Sequence, residues 1–539
     1  PTHWDYANLA KTDYKHRGIH KIIIMPAGDT ILTEILNFDG GMTSDVRKKD
    51  ARFSNRILGF DIFSFQGRLM PQFSMSADSF TTPYVVNTAK LVKFLSYGTS
   101  QAGTAQYALG CDDETVAQTN ATIFKRASIP SGAWDLAGSN ADTQWGFSEI
   151  LFVEYKGKLY FGRDGVNATF SSGTDIAEYN IGTNTMSGTA LTVAFTNLTQ
   201  GLVHSKNDKL YIGYTTSSGA FIAENNAGSW NGTKLTLPTN CIPTALFEYG
   251  NFLGIATKPV SIGGKSYIFL WDMNAVSWNE QIEWGSENLD VAEELNGYIV
   301  GVSSSPTTAS IENPRVYFKV WGGSKVDTFA EFKTSASTAY FGGQQKKNNR
   351  VYFMMSVEMF GQTGRTAGIW SIGFTKSGNM AVAIERRWDN STTFDGTDTA
   401  KGFQLLGDYL TIAYAVGGST YNCNRTTDLS TYAATSQFET IFFTGGDSSL
   451  KKDLKGVTVT FEPLIVNQVI TLSYLTDEDT SFTQIFSNTA SGNEISYSAI
   501  TGLPKDYKEL RLMVGSSAGR AGITGISIKE VITGKRIYD

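Results

Sequence analysis

The chain has 539 residues, with 54 glycines, 12% aromatic residues and 18% charged residues. That length exceeds one ordinary hydrophobic core, so two or more domains or a repeat array is expected. A net charge of −6, with basic residues scattered rather than clustered, excludes the footprint of a nucleic-acid-binding surface.

The richness in Gly, Thr, Ser, Asn and aromatics describes an all-β, turn-rich protein. Cys111, Cys241 and Cys423 are odd in number and widely separated, so they give neither a disulfide framework nor a zinc knuckle and read as buried or bystander thiols. The early apolar run Ile22-Ile-Ile-Met25 is too short for a signal segment or a membrane span, and Pro26 closes it. A soluble chain made in a reducing compartment is expected. Six Asn-x-Ser/Thr triplets, at Asn120, Asn167, Asn197, Asn231, Asn390 and Asn424, then read as products of abundant Asn and Thr rather than as glycosylation sites.

Residues 1–58 read as an N-terminal arm. It holds two strand-like runs, Lys21–Met25 and Thr30–Leu36, and Met42–Ile57 is expected as a short helix capped by Ser44. From residue 59 a meander begins with Phe60–Phe65, Arg68–Phe73 and Leu91–Tyr97. A second, less legible unit uses Gln106–Leu109 and Ala121–Lys125 and ends near Trp134.

The clearest unit is Gly201–Glu224. Its strand Lys209-Leu-Tyr-Ile-Gly-Tyr214 stands between the polar turns Ser205–Asp208 and Thr215–Gly219. Leu159–Gly162 after Glu154-Tyr-Lys-Gly157, Phe252–Ala256 after Phe247–Gly250, and Tyr298–Gly301 after Glu293–Gly297 repeat it, and Val351–Met354 and Tyr409–Ala413 continue the series. Four strands recur in 150–197, 244–284, 291–332 and 338–388, the number that one propeller blade needs. The expected architecture over 59–430 is a β-propeller of about seven blades, with six or eight as alternatives, whose last blade takes a closing strand from the arm. After about Leu429 the pattern changes to strict alternation, in Phe438–Phe443, Leu454–Phe461, Val469–Tyr474, Phe482–Phe486, Leu510–Val514 and Ile523–Val531. This predicts a jelly-roll-like β-sandwich over 431–539.

Chemistry is sparse in the sequence. Gly515-Ser-Ser-Ala-Gly519 matches the G-x-S-x-G pattern with Ser517 central, but no helix follows and no histidine lies beyond His204, so a glycine-rich hairpin loop is the better reading. His3, His16, His20 and His204 have no metal-ligand spacing. The acidic groups Asp112–Glu114, Asp395–Asp398 and Asp477–Asp479 lack the register of a calcium loop and read as solvated turns. The Trp-Asp pairs Trp4-Asp5, Trp134-Asp135, Trp271-Asp272 and Trp388-Asp389 have no Gly-His partner and read as strand-end packing. Trp230, Trp278 and Trp284 are candidate sugar-stacking faces, with packing between blades favoured. No catalytic, cofactor-binding or metal residue is assigned.

Degenerate Gly-hydrophobic-Tyr blades ahead of a sandwich with Leu454-Lys-Gly-Val-Thr-Val-Thr-Phe-Glu-Pro463 and Leu472-Ser-Tyr-Leu-Thr-Asp477 resemble tail-nozzle and tail-tip proteins of tailed bacteriophages. The resemblance implies a non-enzymatic structural virion protein, made in the host cytoplasm and placed in the tail. It would form a ring, commonly sixfold, around the DNA exit channel. The implied partners are further copies of the chain, neighbouring tail, adaptor and fibre proteins, host-surface glycan, and DNA passing through without specific binding. A receptor- or glycan-binding propeller at a tail tip is the alternative, and a glycoside hydrolase or lyase the third reading.

Overall fold

A computed structural model describes residues 23–25, 30–43, 52–78, 93–97, 105–111, 121–126, 132, 134–139, 146–164, 175–306, 314–334, 339–358, 365–386, 399–416, 420–426, 428–443, 450–489 and 496–533. Every regular element among them is a strand, so the chain is all-β. It forms two compact units, one of residues 75–369 with 393–427, the other of residues 1–74, 370–392 and 428–539.

The first unit is a β-propeller. Seven inner strands, Lys93–Tyr97, Gly146–Tyr155, Asn197–Leu198 with Leu202–His204, Cys241–Tyr249, Asn288–Leu295, Tyr340–Lys347 and Thr399–Leu406, each neighbour the next, and the seventh returns to the first. Each opens an antiparallel meander, as in the fourth blade, where Cys241–Tyr249, Phe252–Pro259, Ser266–Trp271 and Glu280–Gly285 pair in order. The seventh blade is completed from the N-terminal side: Ser76–Ala77 pairs with Asn424–Arg425. This closing strand lies beyond residues 1–58, not within them.

Tight turns explain the recurrence seen in the sequence. Lys156–Gly157, Asn296–Gly297 and Asn348–Asn349 all have positive φ, as two-residue hairpin loops of the primed type require. Apolar faces of successive blades then close on each other. Tyr211, Leu246, Ile255, Phe269 and Trp271 fill one interface, and Phe247, Ile268, Trp284, Leu289 and Trp321 the next. The glycine of the second strand has a packing cause: a Cβ on Gly301 would stand 2.7 Å from Trp284 Cζ2, and one on Gly213 2.8 Å from Thr199 Cγ2.

The second unit holds two sheets. One runs Ile23–Met25, Thr30–Ile35, Ile523–Ile532, Lys452–Phe461, Ser496–Ala499. The other contains Met380–Arg386, Phe53–Leu58, Ser436–Thr440, Leu510–Ser517, Val469–Thr476 and Thr483–Asn488 in that order. The C-terminal strands fall where the alternation of the sequence places them.

Three expectations are corrected. Phe53–Leu58, which overlaps the end of the expected helix Met42–Ile57, is a strand: it pairs with Ser436–Thr440, and its Ser54, Ile57 and Leu58 are buried. Long-range pairing overrides a local pattern compatible with either state; Ser44 lies outside the described residues. Residues 60–73 are no blade either. Phe60–Asp61 pairs only with Met70–Pro71 among the described residues, and Leu69 and Phe73 bridge to Ile523 and Tyr432 of the same unit. Lys93–Tyr97 instead joins Ala105–Cys111, Ala121–Arg126 and Asp135–Ser139 in a single first blade. Within the expected N-terminal arm of residues 1–58, Thr30–Ile35 and Phe53–Leu58 are integral strands of the two sheets and not of the ring.

Candidate functional site

The inner strand of a propeller blade has one edge without a strand partner, and its backbone groups must find side chains or water. In this ring side chains serve. Asn197 Nδ2 donates to Pro243 O at 2.9 Å, linking the third blade to the fourth, and Thr244 Oγ1 donates to Leu289 O at 2.6 Å, linking the fourth to the fifth. Gln344 and Gln345, adjacent on the sixth inner strand, point to opposite neighbours as a strand dictates. The amide of Gln344 pairs with the peptide of Ala292, Nε2 donating to the carbonyl at 2.6 Å and Oε1 accepting from the N–H at 3.2 Å. Gln345 makes the same two-point pairing with Leu405, at 2.7 and 2.9 Å.

A second ring of links lies at the turns. The residue before the turn of one inner hairpin bonds a carbonyl of the next blade: Tyr155 Oη donates to Asp208 O at 2.7 Å, Tyr249 Oη to Gly297 O at 3.4 Å, and Lys347 Nζ to Gly407 O. His204 holds the equivalent place in the third blade. Its Nδ1 accepts from the Lys206 N–H at 3.3 Å, so the proton belongs on Nε2, which faces Phe252 O at 3.4 Å. One residue earlier, glutamates tie the turns: Glu154 Oε1 accepts from Gly157 N at 2.8 Å and Glu294 Oε1 from Gly297 N at 2.6 Å.

Within this girdle Gln344 of the sixth blade is bonded both by Gln200 of the third and by Glu293 of the fifth. The Gln344 N–H donates to Gln200 Oε1 at 3.3 Å, although the third and sixth blades are not neighbours in the ring. Gln344 Nε2 also reaches Glu293 Oε2 at 3.4 Å, and Glu293 Oε1 accepts from Glu294 N at 3.1 Å. Burial pushes the half-buried Glu293 carboxyl up to about 7, against the opposing effects of its hydrogen bonds and of Lys346. Asp290, on the same strand, is pushed up to about 6 by burial, and its Oδ2 accepts from Ser304 Oγ at 2.6 Å. A carboxyl that keeps its proton near neutrality, beside primary amides, is equipped for hydroxyl recognition and proton transfer.

Sequence reasoning missed Glu293, Gln200 and Gln344. The signal was a departure from the repeat: counted back from the turn, Glu293 stands where the second and fourth blades carry Val153 and Phe247.

The described residues weighed from sequence have partners of their own. Ser516 and Ser517 end the strand Leu510–Ser517, and Ser516 Oγ accepts from Gln468 Nε2 at 3.0 Å, an arrangement of paired strands rather than a nucleophile elbow. Asp477 and Asp479 cap turns: Asp477 Oδ1 accepts from Lys508 N and Glu509 N, and Asp479 Oδ2 from Thr476 N. His3, His16, His20, Asp112–Glu114, Asp395–Asp398, Trp4 and Trp388 lie outside the described residues. Among the described residues no three His, Cys, Asp or Glu side chains are grouped to hold a metal ion. Trp284 is buried and donates to Ser303 Oγ at 3.0 Å, Trp230 packs edge-on to Tyr160, and Trp278 lies on Phe269 with centroids 4.8 Å apart. These three rings fill gaps in the ring unit. Trp271 Nε1 donates to Ala275 O and Asp272 caps the following turn, so this Trp-Asp pair closes a strand end.

No family model matches the sequence, and no curated protein matches it. Among solved structures, the exo-β-1,3-galactanase of Phanerochaete chrysosporium with galactose is similar at 12% identity, over 85% of this chain and 99% of that one, with a TM-score of 0.30. The Trypanosoma rangeli sialidase with sialic acid is similar at 9% identity, over 88% and 94%, with a TM-score of 0.34. The β-propeller domain of the Trilobed protease of Pyrococcus furiosus is similar at 11% identity, over 63% and 95%, with a TM-score of 0.38. The expectation of a non-enzymatic tail-nozzle protein is corrected by these findings: the similar structures include glycan-cleaving enzymes and a protease propeller, and none of those named is a phage tail protein. At such identities and TM-scores the likeness carries no residue role across to this chain.

Proposed function

We propose that the ring unit acts on a glycan at the cluster of Gln200, Glu293 and Gln344, with Glu293 as the proton-exchanging carboxyl. The observation that supports this reading is the half-buried Glu293 carboxyl bonded by the Gln344 amide, with Gln200 on the backbone of Gln344. The Gln344 amide is taken up by Ala292 and Glu293, while the primary amide of Gln200 presents a donor and an acceptor side by side, which suits the vicinal hydroxyls of a sugar. A carboxyl pushed up to about 7 keeps its proton in roughly half of the molecules at neutral pH and can pass it to the departing glycosidic oxygen as water adds to the anomeric carbon and gives up a proton to solvent. Asp290, on the same strand, is bonded instead to Ser304.

The test is release of reducing ends from a glycan panel between pH 5 and 8, beginning with β-1,3-galactan and sialosides and extending to bacterial surface polysaccharides. Release is expected from at least one glycan, with Glu293→Gln slowing it by about 10²–10⁴-fold, the range of a lost general acid. Absence of release from every glycan, or an undiminished rate in the variant, would sink the reading.

A further inference from the structure

The amide of Gln344 is fixed more firmly than recognition of a ligand alone would require. Its two-point pairing with Ala292 sets which atom is oxygen and which is nitrogen, because a flipped amide would bring its NH₂ against the Ala292 N–H. One hydrogen of Nε2 is taken by the Ala292 carbonyl at 2.6 Å, and the second is left for Glu293 Oε2 at 3.4 Å. The backbone under Gln344 is tied as well, through its N–H to Gln200 at 3.3 Å. Ala292, whose N–H and C=O Gln344 clasps, immediately precedes Glu293, so carboxyl and amide are registered to each other by backbone as well as by side chain.

We infer that Gln344 is the positioning residue of Glu293, and that Gln200 braces it from the third blade. The inference rests on the reading that Glu293 is the working carboxyl of the ring. An N–H aimed at Glu293 Oε2 stabilises the ionised carboxylate, whereas burial opposes ionisation, and the balance sets where the group titrates. Among the described residues, the charged groups that bear on Glu293 are Lys346, which favours ionisation, and Glu294, which disfavours it. These two are paired with each other. Loss of the Gln344 donor therefore moves the Glu293 midpoint upward.

The experiment is a ¹³C-carboxyl NMR titration of the full chain, with the Glu293 signal assigned by its disappearance in Glu293→Gln. In Gln344→Met, which keeps side-chain length and removes the donor, the midpoint should rise by about 0.5–1 pH unit, the equivalent of one ordinary hydrogen bond. In Gln200→Ala, which leaves the Gln344–Ala292 clasp in place, a smaller rise is expected. An unmoved midpoint in folded Gln344→Met overturns the inference, and if that variant does not fold, an unmoved midpoint in Gln200→Ala does so. A shifted midpoint without glycan release by the unmodified protein would remove the glycan reading and leave the positioning role standing. Glycan release with an unshifted midpoint would do the reverse.

Discussion

Glu293 and Asp290 stand on one strand and are both raised by burial, to about 7 and about 6, so each is more easily protonated in the folded ring than in the unfolded chain. Over the interval between the unfolded carboxyl range, ~4, and these values, the two groups bind more protons in the folded state, and their contribution to stability falls as pH rises. The contribution is fully present below about pH 4 and is lost by about pH 7. Denaturant midpoints taken from pH 4.5 to 7.5 should therefore decline, and Glu293→Gln should flatten part of that decline. An identical pH dependence in the two proteins would show that Glu293 is not buried against its charge. Asp272 and Asp453 are held below the usual carboxylate range, Asp272 by the N–H groups of Ala275 and Asn274 and Asp453 by Lys455. They act in a lower pH window and leave this comparison clear.

A blade's inner hairpin carries most of its information in four positions. A glutamate ties the turn, a long polar side chain bonds the next blade, a primed turn reverses the chain, and a glycine in the second strand admits a neighbouring ring. Gly301 shows the last of these most sharply, since an added Cβ would meet Trp284 Cζ2 at 2.7 Å and Leu289 Cδ1 at 2.9 Å. Gly301→Ala should cost about 1–3 kcal/mol by overpacking, read as a lower denaturant midpoint. Gly157→Ala meets no atom within 4 Å, and its cost would come only from the positive φ of 78°. Equal losses at both sites, repaired at neither by shrinking Trp284, would refute a packing cause at Gly301. Recurrence of this hairpin was readable from residues alone because turn chemistry and strand alternation are local. The role of His204 was not readable, because its carbonyl partner lies 48 positions away in another blade.

The ring as a whole depends on its seam. Ser76–Ala77 is too short to hold the seventh blade by strand pairing, and the next residue, Asp78, supplies a buried ion cluster. Its Oδ2 lies 2.6 Å from Arg126 Nη2 and accepts from Trp134 Nε1 at 2.9 Å, its Oδ1 lies 3.2 Å from Arg425 Nε, and Arg126 stacks on Trp134 at 4.1 Å. These groups join the first blade, the seventh and the closing strand. Asp78→Asn removes the charge that Arg126 and Arg425 share, at a site where Arg126 is fully buried, and should cost about 3–5 kcal/mol. Cys423, buried at 3.8 Å from Asp78, reports the same event: its alkylation should quicken in the variant while that of buried Cys241 does not. A variant within about 0.5 kcal/mol of the parent, with Cys423 still protected, would show that the seam is held by other contacts.

Alternation, turn residues and their spacing determined by themselves that the chain is all-β, that four-stranded meanders recur in it, and that the C-terminal segment forms alternating strands. Those properties follow from period-two side-chain placement and from the few residues that accept a primed turn, both decided within a handful of positions. Tertiary structure alone decided that residues 60–73 leave the ring while Ser76–Ala77 closes it, and that Phe53–Leu58 is a strand and not a helix. It also decided that Gln200, Glu293 and Gln344 meet. Each of these depends on which distant edge a short segment pairs with, and a free strand edge presents the same N–H and C=O groups whatever its sequence. Only the packing of the blades chooses among them.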